Sequence, residues 1–243
     1  MSDAAEVPAR SRRSARWRRI GVFLVLWAAA AYIVVPLAWD AYYRHFPDYA
    51  KAPHLTHTGT GHPGDPVNIA LVGTESQVNA AMKAAGWFAA DALGLRSDLA
   101  IAADSVLGRP DDQAPVSNLF LFGRKEDMAF EQPVGDSPRQ RHHVRFWRWD
   151  KTRDGEPVWF GSATYDERVG LSHVTGQVTH HIGPDVDAER DRIAAELGRA
   201  GCVRGTSWID AFQAPPEGRN GGGDPWRTDG RLAVVELRDC APR

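Results

Sequence analysis

Arg141-His142-His143-Val144-Arg145-Phe146-Trp147 is the stretch on which the fold turns. Side chains alternate across a strand, so as a strand it puts His142, Val144 and Phe146 on a natural core face. Arg141, His143, Arg145 and Trp147 fall on the other face, which is cationic with an aromatic end. Asp154-Gly155 follows, ahead of a second run, Pro157 to Tyr165, and Asp-Gly between two such runs is a strong hairpin signal. Thr179-His180-His181-Ile182 predicts another strand, with Val178, His180 and Ile182 inward and Thr179 and His181 outward. Neither adjacent His pair can act as a unit, but one His from each can share a face.

Working outward, Pro184 and the acids Asp185, Asp187 and Glu189 introduce a helix to about Ala200, closed by Gly201. Its apolar stripe carries Val186, Ile193 and Leu197, and also Arg190. Upstream, Val67 to Gly73 reads as a buried strand. Thr74 and Gln77 form a capping box for a helix with Val78, Met82 and Ala85 on one face, stopped by Gly86. A further helix is expected from Ser97 or Asp98 to about Gly108. Asn118–Phe122 and Met128–Glu131 flank Gly123–Glu126 as a hairpin with a longer loop. Val203–Phe212 and Arg231–Asp239 read as the last strands, and the Pro- and Gly-rich excursion 213–230 between them reads as mobile. The sum is an α+β domain: a mainly antiparallel mixed sheet packed with about three helices.

The ends of the chain speak to location. Residues 1–19 hold six Arg against Asp3 and Glu6, a balance of +4 that leaves −6 for the remainder of a chain with net charge −2. A mildly acidic body argues against nucleic-acid binding, which wants a basic surface. No charge occurs from Ile20 to Trp39, and about 20 apolar residues span a bilayer core. The preceding Arg cluster sets the N-terminus in the cytoplasm, and Trp39, Tyr42 and Tyr43 suit the far interface. The expected organisation is therefore a basic tail (1–19), a transmembrane helix (20–39), a linker (40–65) and the α+β domain (66–243). That domain would lie outside the cytoplasm, as a single-pass protein of the inner (cytoplasmic) membrane facing the periplasm. Cys202 and Cys240, the chain's two cysteines, sit at the open end of the last hairpin and suit a disulfide in an oxidising compartment.

Three readings of the central residues stay open. His143 or His181 with Asp185 or Asp187 would suit a divalent metal. Arg141, Arg145 and Arg190 would clamp an anion or phosphoryl group beside a His acting as general acid or nucleophile. In the structural reading His142 and His180 are satisfied core residues, and the Arg residues pair with Asp185, Asp187 and Glu189, acids that a helix's first turn favours anyway. The catalytic candidates are thus His143, His181 and Asp187, and the binding candidates Arg141, His142, Arg145, His180, Asp185, Glu189 and Arg190. No cofactor signature is present.

Several stretches together resemble one family, the C-terminal domain of LssY, which is named for type I secretion. They are Ala85-Gly86-Trp87, Ala114-Pro115-Val116-Ser117 leading into Leu119–Arg124, Asp127–Glu131, Ser137–Trp147, Val158–Gly161, Thr179–Ile182 and Asp185–Arg190. The resemblance covers roughly residues 67–205. It implies a secretion or envelope context, in which such domains are often attached to membrane modules similar to DedA proteins and lipid-phosphate phosphatases, but it carries over no catalytic residue. Here a single anchor is expected in place of such a module. The expectation is a membrane-anchored extracytoplasmic accessory or binding domain with an envelope protein as partner. The alternative is a His/Arg-based or metal-dependent hydrolase of a phosphorylated envelope substrate.

Overall fold

The computed structural model describes residues 10–39, 48–90, 118–135, 137–174, 176 and 178–240. The chain divides into two compact units, Met1–Phe46 and Pro47–Arg243. In the first, helix α1 (Arg10–Ala29) runs into a π-helical turn at Ala30–Val34 and stays helical to Trp39. The widened turn precedes Pro36, whose ring lacks an N–H and crowds the carbonyl one turn back. The 25 residues Ala15–Trp39 are long and apolar enough to cross a membrane, a property shared by anchors and signal sequences.

In the second unit, β1 (Leu55–Thr58) and β2 (Pro63–Pro66) form a tight antiparallel pair, and β3 (Ile69–Val72) leads into α2 (Glu75–Ala84). The capping box at Thr74 and Gln77 is present with both of its hydrogen bonds. After β4 (Phe88–Ala89) come β5 (Leu119–Leu121), β6 (Arg124–Lys125) and β7 (Met128–Val134). The longest pair, β8 (Ser137–Arg153) and β9 (Glu156–Leu171), turns at Asp154 and Gly155, both with positive φ, as the primed hairpin turn requires. Then follow β10 (Val178–Ile182), α3 (Val186–Arg199), β11 (Val203–Ile209), β12 (Glu217–Arg219), β13 (Pro225–Arg227) and β14 (Leu232–Leu237).

The main sheet has the order β11-β14-β3-β9-β8-β7-β4, with β10 also paired to β9, and among the described strands only β3 and β14 pair in parallel. Both faces are covered. Ile69, Val144, Phe146, Trp159 and Val235 pack against Val78 and Met82 of α2 and Ile193 and Leu197 of α3. Ala70, Trp147, Phe160 and Val234 pack on the other side with Tyr49, Leu119 and Phe212. A strand buried on both faces loses its alternation, which is why β3 reads as one apolar run. Cys202 and Cys240 form a disulfide that closes the β11–β14 pair.

Three local expectations differ from what is observed. The stretch read as linker contains β1 and β2, which join β5 and β6 in a second sheet of order β2-β1-β5-β6. Pro63 and Pro66 are tolerated there because β2 is an edge. The expected 118–131 hairpin is split: the chain turns early at Phe122-Gly123, both with positive φ, so β5 pairs with β6 while β7 joins β8 in the main sheet. The 213–230 excursion contains the β12–β13 hairpin. The helix expected after Ser97 lies outside the described residues.

Candidate functional site

The site arises where one face of the β8–β9 pair changes character. Along β8 every second residue reads Trp149, Trp147, Arg145, His143, Arg141, and along β9 Phe160, Ser162, Thr164, Asp166. Register places Trp147 beside Phe160, Arg145 beside Ser162, His143 beside Thr164 and Arg141 beside Asp166. The same face is thus apolar core at one end and a polar floor at the other. His180 of β10 borders that floor. The β1–β2 turn, Phe120 of β5 and the Asn220–Gly222 turn form walls around a cleft of about 480 Å³. Gly221 permits that closure, since a Cβ there would lie 2.7 Å from the Thr58 side chain.

Arg145 is the unusual member. It is only 5% exposed and lines the cleft, yet among the described residues no carboxylate lies within ion-pair distance of it and its guanidinium makes no hydrogen bond. A buried cation without a counter-charge is costly. His143 Nδ1 stands 3.2 Å from Asp166 Oδ1 and 3.3 Å from Thr164 Oγ1. The approach to Asp166 is an ion-pair distance off hydrogen-bond alignment, which leaves Oδ1 short of a donor. The other oxygen of Asp166 accepts from Arg141 Nε at 2.9 Å, and Arg141 also meets Glu131 at 3.0 Å. Burial opposes ionisation of Asp166, but the His143 and Arg141 charges outweigh it and hold the carboxyl well below the usual range.

Two further titratable residues of the cleft, Asp65 and His180, have the opposite balance. Burial raises the Asp65 carboxyl above its ordinary value, and the His143 and Arg145 charges and a 3.1 Å hydrogen bond from Asn220 only partly offset this. Burial also pushes His180 down to about 4, helped by the positive charges of Arg141, His143 and Arg145 and opposed by Asp166. His180 Nδ1 is buried without a partner. The cleft therefore combines a cation free to receive an anion, an imidazole beside an ionised carboxylate and a carboxyl biased toward its protonated form.

Of the residues singled out from sequence, His143, Arg145 and His180 line the cleft, and Arg141 supports it through Asp166. The rest are engaged elsewhere. His142 Nδ1 pairs with Glu189 at 2.7 Å on the helix side of the sheet. His181 Nδ1 pairs with Asp224 at 2.6 Å. Asp185 caps α3 by accepting from Ala188 N. Asp187 accepts from Arg190, Thr228 and the Asp229 backbone. Arg190 bonds Asp187, Asp191, Asp229 and the Arg231 carbonyl, and stacks over Trp208 at 4.8 Å. Sequence reasoning missed Asp65, Asp166 and Asn220. Asp166 was within reach, because it continues the row Ser162, Thr164 on the strand facing Arg145 and His143. Asp65 was hidden in a segment judged by its Pro and Gly content.

Among known proteins, the family model described as LssY C-terminus matches residues 43–232. No curated protein and no solved structure matches the chain.

Proposed function

Since the chain belongs to the LssY C-terminus family and carries an N-terminal helix able to cross a membrane, we propose that it is a membrane-anchored extracytoplasmic hydrolase of a phosphorylated envelope molecule. The arginines ahead of the helix favour a cytoplasmic N-terminus, and the disulfide suits an oxidising compartment. A place in the inner membrane and a secretion-associated role belong to the same reading. The observation that carries it is Arg145, buried in the cleft with no carboxylate at ion-pair distance among the described residues. A phosphate oxyanion supplies that charge and accepts the guanidinium's paired N–H donors.

The chemistry follows from the neighbours. With the phosphoryl group on Arg145, neutral His143 takes a proton from a water as its oxygen bonds to phosphorus. Asp166 stabilises the imidazolium that forms. Asp65 gives its proton to the leaving oxygen as the ester P–O bond breaks, and proton exchange with solvent restores both groups. His180, kept neutral by burial, adds no competing positive charge above pH 4.

The test is hydrolysis of p-nitrophenyl phosphate and of phosphatidate in mixed micelles by the full chain in detergent. His143→Asn and Arg145→Gln are each expected to lower kcat/KM by about 100-fold or more, while His57→Ala, on an exposed part of β1, keeps activity. Phosphate binding that depends on Arg145 without any turnover would favour the accessory binding domain. Neither binding nor turnover would remove the phosphate reading.

A further inference from the structure

His181 turns away from the cleft into a second polar group, where three segments meet. β10 contributes His181, the turn after β9 contributes His173, and the β12–β13 turn contributes Asp224. His181 and Asp224 are buried, whereas the His173 side chain is 60% exposed. Asp224 Oδ1 lies 2.6 Å from His181 Nδ1 and 4.0 Å from His173 Nε2, and one donor atom from each residue falls within a 4.8 Å group. His181 Nε2 is buried against Gly170, which leaves Nδ1 as its available donor atom.

The segments are already tied to each other. His173 N donates to the Gly222 carbonyl at 2.9 Å, and the backbone N–H groups of Gly222 and Asp224 both donate to Asn220 Oδ1. Two imidazoles and one carboxylate, two of them buried and the third open to solvent, make the donor set of a first-row divalent transition ion with room for a water. Calcium and magnesium, which take oxygen ligands, do not suit it.

The geometry points to a zinc-class metal site formed by His173, His181 and Asp224. Tetrahedral zinc with bonds of about 2.0–2.1 Å sets its ligand atoms about 3.4 Å apart. The exposed His173 closes inward by about 1.4 Å and the His181–Asp224 contact opens by about 0.8 Å, while the ion displaces the Nδ1 proton that His181 donates to Asp224 and the remaining ring proton sits on Nε2. The ion acts on the cleft by position, not by touching the substrate. Asn220, which holds the Asp224 turn, donates its side-chain amide to Asp65, and Gly221 and Gly222 of the same turn form a cleft wall. Fastening the turn fixes the Asp65 carboxyl.

The site stands independently of the phosphate reading. Full-length protein in detergent, stripped by chelator, is titrated with Zn2+ by calorimetry and by thermal unfolding. One equivalent is expected to bind and to raise Tm, unaffected by excess Mg2+ or Ca2+. His173→Ala, at an exposed position that spares the fold, and Asp224→Asn each weaken binding at least about tenfold, while Arg145→Gln leaves it unchanged. No zinc binding, binding indifferent to both ligand variants, or binding lost in His54→Ala/His57→Ala overturns the site.

Discussion

Arg145 and Arg190 are both buried guanidinium groups, at 5% and 1% exposure, and they could hardly differ more in company. Arg190 reaches three carboxylates and a backbone carbonyl and lies over the Trp208 ring. With its charge and donors spent inside the protein, it fastens α3 to the segment before β14. Arg145 meets no carboxylate at ion-pair distance among the described residues and opens into a cleft. Burial of a cation therefore does not mark a binding site; the accounting of its counter-charges does. From sequence both are candidates to clamp an anion, Arg190 the more conspicuous because it falls in an apolar stripe. The structure leaves that role open to Arg145 alone of the two.

The sharpest way to break this contrast is truncation. Arg190→Met strands Asp187 and Asp229, and is expected to cost about 3 kcal/mol, at the lower end for buried pairs because those carboxylates are partly exposed. Urea unfolding measures it, and a loss below about 1 kcal/mol would demote Arg190 to decoration.

The electrostatics around Arg145 come next. His180 titrates at about 4 in the folded protein and at about 6.5 in the unfolded chain. As pH falls through that window the unfolded state takes up the proton first, so stability is lost between about 6.5 and 4. Discounted for partial exposure, wild type should lose about 2 kcal/mol more than His180→Gln over this range; parallel curves would show that His180 is not held neutral.

Arg145→Gln, by contrast with Arg190→Met, is expected to change stability by less than about 1 kcal/mol, because no protein partner is left unpaired. The smallest effect is at Asp65. Its raised value means the native state keeps a proton that the unfolded chain gives up, so stability falls as pH rises through that interval. Asp65→Asn keeps the Asn220 contact and removes the penalty, so a slightly higher Tm at neutral pH is expected together with lost turnover. A lower Tm would mean that ionised Asp65 is well solvated.

Much of the frame could be read from local chemistry. The Asp154-Gly155 turn, the Thr74 capping box and the cysteine pair each depend on residues close in sequence or on one hairpin, and strand alternation correctly placed His143 with Arg145. What escaped depends on distant contacts. Alternation on β10 holds, since the extra residue of the bulge, Glu167, lies on β9, but the face expected to be core is the polar floor: His180 and Ile182 line the cleft while His181 meets Asp224 on the other side. Asp65 becomes a site residue only because β2 folds over β9, and Asn220 only because the β12–β13 turn closes against β1 and β2. No periodicity within either segment encodes those contacts.

The central claim is that Arg145 awaits an oxyanion, and thermal unfolding in inorganic phosphate against chloride of equal ionic strength tests it directly. A ligand at 100 times its Kd stabilises by about 2.7 kcal/mol. The account predicts a phosphate-dependent rise in Tm for the wild-type chain that is absent in Arg145→Gln and retained in Arg190→Lys. Equal stabilisation of wild type and Arg145→Gln, or none of either, would contradict it.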